Sequence, residues 1–580
     1  MKQYLAIIIT LLTVVSFADA QVDRSKLPKP AQAREIEIGD YESFTLKNGL
    51  KVFVIEDTKL PRISYNLILD REPILEKDKV GMLSMAGQLM TRGTKNRTKE
   101  QLDEEVDFIG ARLNASSASV SASGLSKYKE KILSLMADVI LNPTFPVEEL
   151  EKIRTQQISN LASSKENPDA ISGNVTPILL YGKDHPYGEI QTEETTKNVT
   201  VADIKNYHKT YFKPNIAYLA IIGDIKKKEA EKLVKEYLGS WEKGTVPEPK
   251  YEQPKNPDKV TVGLVDRSSS VQSVIKVTSL ADLKPQDEDV IPVRIMNTIL
   301  GSGGSARLFM NLREDKGYTY GAYSSIGPDK LVARFNAGAS VRNEVTDSAI
   351  VEFMNEIRTI RNEPVTDEEL ELAINTISGS FGRSLETPGT IAGFAINSEI
   401  DGLADDYYAN YLKKVQAVTK EDIQRVAKKY LKPDNLYITV VGKASDIGDK
   451  LKKFGEVRYF DLDGNEYDPT KEKLPEGVTA ATVIENYIKA LGGRNAIDEI
   501  SSVKMLMTAN AMGNNLEKTQ IKTRGGKFYS SVMMGGNVMM EQKMDGEQMS
   551  VVTKGAVVPL DPRTRLKLKM QSYFVPAMEY

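Results

Sequence analysis

The sequence of 580 residues contains no cysteine, only two histidines, His185 and His208, and a single tryptophan. The absence of cysteine excludes disulfides, thiolate nucleophiles, zinc ribbons and iron–sulfur ligation. The two histidines lie 23 residues apart, without an H-x-x-x-H spacing or a nearby carboxylate cluster. We therefore predict packing roles for both of them and expect no metal to be held by this chain alone.

The chain also has no excess of charge of one sign, since 77 Lys and Arg stand against 80 Asp and Glu, for a net charge of −3. A general nucleic-acid binder would need a basic footprint, so that class is disfavoured. With 41% hydrophobic and 27% charged residues, the composition is that of an ordinary soluble globular protein. Its length predicts three to five domains, each able to bury a core of its own.

The N-terminus predicts an exported protein. Lys2 precedes an apolar run over Leu5–Val15, and Ala18-Asp19-Ala20 supplies a small-x-small cleavage site. This is the layout of a secretory signal peptide over residues 1–20, and the run is too short to span a bilayer. No cysteine follows the site, which excludes a lipid anchor there. We expect a periplasmic location, with full secretion as the alternative, which the sequence does not decide.

An internal repeat organises the rest of the chain. Residues 199–223 and 418–442 align without a gap at an offset of 219, and residues 148–151 recur 220 positions later as 368–371. The residues shared by the first pair of segments include Val199, Thr200, Asp203, Ile204, Tyr211, Lys213, Pro214, Tyr218 and Gly223. Two independent matches at nearly one offset predict a duplicated unit of about 220 residues.

Each copy alternates strand and helix patterns, whereas the segment after residue 478 reads as one helix followed by short strands with glycine turns. We therefore predict an α+β protein with two tandem homologous α/β units and a smaller C-terminal domain, a helix plus an antiparallel meander. The predicted boundaries are 1–20 signal peptide, 21–40 N-terminal linker, 41–242 first unit, 243–258 linker, 259–458 second unit, 459–477 linker and 478–580 C-terminal domain. The sequence does not decide whether this last domain is complete.

The C-terminal domain is rich in methionine, with 11 of the 19 methionines after residue 500. Flexible thioether side chains fill irregular gaps in cores or line adaptable ligand grooves, and core filling is the favoured interpretation. The helix-plus-meander pattern also loosely resembles the half-barrel of lipoprotein-localisation carriers, so acyl-chain binding is a further hypothesis for this domain.

Three segments, Gly81–Thr94, Asp184–Gly188 and Leu300–Gly321, together with the duplication, carry a resemblance to a known family. The chain resembles the insulinase/pitrilysin zinc peptidases, and more narrowly their processing-peptidase-like branch, over roughly residues 40–450. The resemblance implies a clam-shell half built from the two α/β units. It also implies a peptidase whose zinc site lies in the first unit.

The zinc site that the resemblance implies is degenerate in this chain. The family carries H-x-x-E-H on a helix, where two histidines bind zinc and the glutamate activates water. Here Ser84 and Gln88 stand at the histidine positions and Gly87 at the position of the base. The family's downstream glutamate has no acidic counterpart within Thr155–Ser159. These substitutions therefore predict that the first unit has no zinc hydrolase activity.

The second unit keeps the residues that the family uses to bind substrate. Carried over by position, Arg313 and Tyr320 would contact the peptide and stabilise the oxyanion in trans, because a guanidinium and a phenol donate to developing negative charge. Without the resemblance, Arg313 would be assigned to a surface pair with Glu314 or Asp315, and Tyr320 to ordinary strand packing. The glycine-rich segment before them lacks the Gly-Lys-Ser/Thr of a phosphate loop. The predicted substrate-binding residues there are Gly301, Gly303, Gly304 and Arg307.

Two functional hypotheses follow from this pattern. In the first, the chain is the non-catalytic subunit of an exported zinc metalloendopeptidase, inactive alone, with a partner that carries an intact H-x-x-E-H and the zinc. In the second, the chain only binds peptides or scaffolds a complex and has no part in turnover. The sequence indicates neither the peptide specificity nor the identity and stoichiometry of the partner.

Overall fold

The computed structural model describes residues 39–469, 477–511 and 514–573. It separates into a main unit, which ends at Tyr467, and a tail unit, which begins at Asp468. The predicted signal peptide lies outside the described residues. Within the described ranges, no helix combines the length and apolar character that crossing a bilayer requires.

The N-terminal repeat of the main unit is a six-stranded mixed sheet with helices packed against it. The strand order is β1-β2-β6-β3-β5-β4. Its elements are β1 Glu42–Thr45, β2 Lys51–Glu56, β3 Arg62–Leu69, α1 Met82–Met90, α2 Lys99–Phe108, β4 Arg112–Ala115, β5 Ser119–Leu125, α3 Lys129–Leu141, α4 Val147–Ser164, α5 Pro168–Tyr181, α6 Glu193–Asn198, α7 Val201–Tyr211, β6 Ala217–Gly223 and α8 Lys227–Leu238.

The C-terminal repeat has a seven-stranded sheet in the order β13-β12-β7-β11-β8-β10-β9. Its elements are β7 Thr261–Asp266, β8 Gln272–Ala281, α9 Val290–Gly301, α10 Arg307–Phe309, a π-helical turn Met310–Asp315, β9 Thr319–Ile326, β10 Ala333–Arg342, α11 Thr346–Asn362, α12 Asp367–Ser384, α13 Pro388–Ile400, α14 Tyr411–Gln416, α15 Lys420–Tyr430, β11 Tyr437–Gly442, α16 Ala444–Leu451, β12 Glu456–Phe460 and β13 Glu466–Tyr467.

The two repeats share one topology. The order β2-β6-β3-β5-β4 in the first sheet corresponds, strand for strand, to β7-β11-β8-β10-β9 in the second. In both sheets the central pair is parallel, β2 with β6 and β7 with β11, while the strands toward β4 and β9 are antiparallel. The predicted mixed α/β fold class is confirmed, and the sequence repeat corresponds to a structural one.

The repeated sequence block forms the same local structure in both copies. The hydroxyl of Thr200 accepts the N–H of Asp203 at 3.3 Å at the start of α7, and Thr419 does the same for Asp422 at 3.2 Å at the start of α15. In each case the N3 aspartate accepts the cap's own N–H, so both helices begin with a reciprocal capping box. A Lys-Pro step and a buried strand follow each helix.

The repeats exchange one helix each. Helix α5 of the first repeat packs on the second sheet, where Ile171, Val175 and Leu179 form a buried cluster with Val265 and Val441. Helix α13 of the second repeat packs on the first sheet in the reciprocal way. The cluster there consists of Phe53, Ile55, Ala220, Ile391, Ala392, Ala395 and Ile396. One face of each sheet is covered by helices of its own repeat, and the opposite face is covered by the helix from the other repeat.

The predicted linker 243–258 has no regular secondary structure, as its prolines indicate. It is tied to both repeats, because the Tyr251 hydroxyl donates to the carbonyl of Pro73 at 2.7 Å and the Asn256 amide donates to the carbonyl of Leu280 at 2.9 Å. The linker therefore crosses the main unit along fixed contacts.

The tail unit is an antiparallel meander with three helices among its described residues. Its six strands pair in sequence order, as the glycine turns predict. Its elements are α17 Ala480–Ala490, α18 Gly493–Glu499, β14 Ser502–Ala511, β15 Asn514–Thr523, β16 Phe528–Met534, β17 Asn537–Asp545, β18 Gln548–Thr553, β19 Ala556–Val557 and α19 Pro562–Ser572.

The tail unit has one small buried cluster among its described residues, Phe528, Met544, Val551 and Leu568, and Ile488 and Ile497 are also buried. Among the described methionines of this unit only Met544 is buried, and the others are half-buried or exposed. The favoured core-filling interpretation thus holds for one methionine, and acyl-chain binding stays a hypothesis.

Candidate functional site

Helix α1 carries the three degenerate zinc-site positions of the first repeat. Its inner face is buried through Met85, Ala86, Leu89 and Met90, and this apolar spacing explains why the segment is helical. Ser84 and Gln88 lie one turn apart on the other side, and Gln88 is exposed. The positions are therefore arranged as a zinc helix requires, but with different side chains.

Amides and hydroxyls join these positions into one network. The Ser84 hydroxyl accepts from the amide of Gln88 at 3.2 Å and from the amide of Gln157 at 3.3 Å. The Gln157 carbonyl accepts from Gln191 at 2.6 Å, and Gln191 also donates to the hydroxyl of Thr196 at 2.9 Å. Gln157 lies on α4 and is buried, and its contact with Ser84 places it where the family's downstream glutamate is expected. The network thus joins α1, α4 and α6 through neutral groups.

The position of the missing base is closed by backbone. A Cβ built on Gly87 would lie 2.6 Å from both Cα and C of Ser116 and 2.8 Å from N of Ser117. The turn between β4 and β5 that contains these serines is itself held, because Arg71 donates to the Ser117 hydroxyl at 3.3 Å and the Tyr207 hydroxyl donates to the Ser117 carbonyl. A side chain at residue 87 therefore has no space unless the turn moves.

These residues do not fit a zinc ion. Serine and glutamine are poor ligands for Zn²⁺, which prefers Cys, His and carboxylates, and Gly87 supplies no proton acceptor. Among the described residues, no group of three or more His, Asp and Glu side chains could bind a metal. No chemical step through zinc is assigned to this chain, and its lack of a metal of its own stays a prediction.

Both histidines occupy packing positions. His208 stacks on Phe212 with ring centroids 4.7 Å apart, and one of its ring nitrogens lies 2.9 Å from the carbonyl of Ile140. Burial lowers the pKa of His208 to about 4. His185 is buried among Tyr181, Tyr187 and Tyr251. Neither ring joins the other in a site.

Two carboxylates hold the segment that leads into α1. Glu76 accepts the N–H of Leu83 at 2.8 Å, and Glu189 accepts the N–H of Glu76 at 2.8 Å. Burial, reinforced by the nearby charge of Glu189, raises the pKa of Glu76 to about 7 despite the hydrogen bond from Leu83. Burial also raises the pKa of Glu189. The start of α1 therefore depends on a carboxyl group that titrates near neutrality.

The matching segment of the second repeat is open. Gly301, at the end of α9, is buried and packs against the backbone of Ser324, so that a Cβ has no room there. Gly303 has φ of +113° with no atom near its Cβ position, and Gly304 is exposed like Gly303. Of the predicted substrate-binding glycines, two are accessible and one serves close packing. Their contact with substrate stays a prediction.

Arg307 is engaged inside the fold. Its guanidinium makes a bidentate contact with Glu369, with N···O distances of 2.6 and 2.8 Å, and its side chain is 15% exposed. Glu369 also accepts the N–H of Thr366 at 2.9 Å as part of the capping box of α12. Arg307 therefore ties α10 to the start of α12. Its predicted role toward substrate stays a prediction, since this structural contact already uses its guanidinium.

Arg313 and Tyr320 are exposed. The Arg313 guanidinium lies 4.7 Å from the ring centroid of Phe309 and 3.4 Å from Glu314, with 46% of the side chain accessible. Tyr320 lies on β9, which ends the second sheet among the described strands, and is 88% exposed. A surface pair such as Arg313 with Glu314 contributes little stability, about 0–1 kcal/mol. Both side chains are therefore accessible to a ligand or a partner.

Family models match most of the main unit. Residues 76–180 match the model "Insulinase (Peptidase family M16)", and residues 198–377 match "Peptidase M16 inactive domain". The first match contains the degenerate helix and the second contains the Arg313 segment. The chain belongs to the insulinase family, M16.

Bacterial relatives in this family are named zinc proteases. An uncharacterized zinc protease of Bacillus subtilis is 22% identical over 59% of this chain and 84% of its own length. Another, from Streptomyces coelicolor, is 22% identical over 70% of this chain and 91% of its own length. The chain therefore spans most of the length of both relatives.

Solved structures show the same fold. The peptidase M16 inactive domain from Pseudomonas fluorescens superposes with a TM-score of 0.63 at 24% identity, over 70% of this chain and 98% of its own. A protease from Helicobacter pylori gives 0.63 at 21% identity, over 70% and 100%. This chain is thus an insulinase-family, peptidase-like protein without the catalytic motif.

Two contributors to these sites were not singled out by sequence. Gln157 has no sequence signal, because the family has an acidic residue in that helix. Its contact with Ser84 nevertheless places it where the family's downstream glutamate is expected. Gln191 lies in a loop without a motif, so nothing in the sequence marks it. Spacing alone does not indicate a hydrogen-bond network between distant neutral side chains.

Proposed function

We propose that this chain is the non-catalytic, substrate-binding subunit of an exported zinc metalloendopeptidase. It supplies Arg313 and Tyr320, in trans, to peptide bound at the zinc of a partner from the same family. The observation that carries the proposal is the contrast between the backbone-filled position of Gly87 and the exposed pair Arg313 and Tyr320. The first repeat has no groups for hydrolysis, while the second presents donors suited to a carbonyl oxygen or oxyanion.

The chemistry assigned to this chain is binding and charge stabilisation. Arg313, in the π-helical turn, is a permanent cation and hydrogen-bond donor, and Tyr320, seven residues later on the edge strand β9, adds a neutral donor. Donors aimed at the developing oxyanion lower the activation barrier. Removing one such donor raises this barrier by about 3–4 kcal/mol. In the complex, the partner would supply the zinc and the base that activate water for attack on the peptide.

The test is peptide cleavage by the chain together with a partner that carries H-x-x-E-H, encoded next to it or co-expressed. We expect Arg313→Ala to lower kcat/KM about 10²-fold and Tyr320→Phe about 10-fold, as for removal of oxyanion donors. Arg358→Ala and Tyr41→Phe are matched controls, because Arg358 is 47% and Tyr41 46% exposed. Both controls should leave kcat/KM unchanged.

Unchanged kcat/KM in both Arg313→Ala and Tyr320→Phe would contradict the trans role. Peptide affinity without any effect on a partner's turnover would instead support the alternative, a peptide-binding or scaffold protein. Export is tested by N-terminal sequencing of the processed chain from the periplasm, where we expect Gln21 as the first residue.

A further inference from the structure

The segment that presents Arg313 is a π-helical turn. Within Met310–Asp315 the hydrogen bonds widen, so that the N–H of Lys316 donates to the carbonyl of Asn311 at 3.0 Å, five residues back. The N–H of Tyr318 then donates to the carbonyl of Leu312 at 2.9 Å. A π turn holds one more residue than an α turn and is uncommon, so it needs contacts that stabilise it.

Asn311 makes such contacts from inside the turn. Its single side-chain NH₂ donates to Glu352 at 3.0 Å and to Glu356 at 2.7 Å. These glutamates lie four residues apart, hence on one face of α11. A neutral amide thus bridges two carboxylates that would otherwise repel each other. The contact fixes the second residue of the π turn against α11.

Arg307 fixes the same segment from its other side. It precedes the π turn by one short helical turn and is held by Glu369 on α12. Glu356, a partner of Asn311, also lies within the electrostatic reach of Arg307. Two contacts to two different helices therefore fix a turn that buries Leu312 and exposes Arg313.

We propose that Asn311, supported by Arg307, is a positioning residue that holds the π turn in register and so fixes Arg313 at the surface. The role of Arg313 itself rests on the proposed function, whereas the fixing of the turn does not. Asn311→Asp places a third carboxylate against Glu352 and Glu356 and removes the donor, which releases the turn. The variant Asn311→Asp with Glu352→Gln and Glu356→Gln reverses donor and acceptor and restores the bridge.

The measurement is amide hydrogen exchange in the full chain without a partner, followed at Lys316, Gly317 and Tyr318. Asn311→Asp should exchange about tenfold faster or more at these amides, and the triple variant should return to within about threefold of wild type. Asn362→Asp adds the same charge at the exposed end of α11. This control should leave exchange at the three amides unchanged. Exchange in β6, in the other repeat, should stay constant in all variants.

Wild-type protection at these amides in Asn311→Asp would overturn the proposal, and so would a triple variant that exchanges as fast as the single one. The same proteins are then assayed with the zinc-bearing partner, where Asn311→Asp should lower kcat with KM nearly unchanged and the triple variant should recover. If exchange responds as expected but turnover does not, the turn is fixed by Asn311 while the trans role of Arg313 is wrong.

Discussion

The two repeats differ at their first long helix, α1 or α9, and in the segment that follows it. In the first repeat, α1 meets the β4–β5 turn so closely that Gly87 has no room for a Cβ. In the second repeat, the segment after α9 extends through a glycine-rich loop and a π turn, and it exposes Arg313. The sheets behind both segments have the same strand order. The two repeats therefore share a scaffold and differ in the local packing that it carries.

The largest expected effect tests whether the first repeat is closed. Gly87→Ala should lower the free energy of unfolding by about 2–3 kcal/mol, because its Cβ would overlap the Ser116 backbone and overpacking carries costs of this size. Gly173→Ala, in α5, is the matched control, since no atom lies within 4 Å of its Cβ position. Because alanine has a better helix propensity than glycine, Gly173→Ala should raise the free energy of unfolding by about 0.5–1 kcal/mol.

Urea unfolding followed by circular dichroism measures both variants. A Gly87→Ala protein as stable as wild type would show that the turn at Ser116 yields easily. The contrast between a closed first repeat and an open second one would then be lost.

The next effect separates the two arginines of the second repeat. Arg307→Ala should lower the free energy of unfolding by about 2 kcal/mol. This is less than the cost of breaking a fully buried ion pair, because Glu369 is partly exposed and keeps its capping contacts. Arg313→Ala should change stability by less than about 0.5 kcal/mol, as expected for an exposed side chain. Thermal and urea unfolding of the two variants provide the comparison. Equal losses would remove the distinction between a structural and a surface-presented arginine.

The smallest effect concerns the entry to α1. The pKa of Glu76 is about 7 in the folded chain and about 4.3 in an unfolded one. The folded state thus keeps a proton that the unfolded state releases between these values, so stability falls as pH rises through this window. Glu76 is only half-buried, so solvent screening reduces the full effect of this shift. The stability advantage of Glu76→Gln over wild type should therefore grow by about 1 kcal/mol between pH 5 and pH 8. Urea unfolding at both pH values tests this, and a difference that does not change with pH would contradict it.

Much of the scaffold was predictable from sequence because local signals and long-range packing agree there. The Thr–Asp capping boxes of α7 and α15 and the strands after them follow from the repeated block, and the structure confirms them. In the tail unit, the glycine turns predict the meander but not the bounds of β15 and β17. Their alternation is weak, with few apolar residues, and pairing with neighbouring strands rather than local propensity defines them.

The site was predictable only where a side chain has chemistry of its own. Arg313 and Tyr320 were marked by the family resemblance, and the structure places both at the surface. The π turn and the bridge from Asn311 to α11 had no sequence signal, because they depend on contacts between residues far apart in the chain. Likewise, the apolar faces of α5 and α13 predict burial but not the sheet on which each packs.

The exchange of α5 and α13 between the repeats has a consequence for biosynthesis. Phe53, Ile55 and Ala220 are translated early, but the helix that covers them, α13, ends only at Ile400. During synthesis the outer face of the first sheet therefore stays open until most of the second repeat has emerged. Contacts this distant in sequence slow folding and leave apolar surface open to aggregation or to chaperones. The core on one face of the first sheet can thus be built early, while the other face waits for a helix from the second repeat.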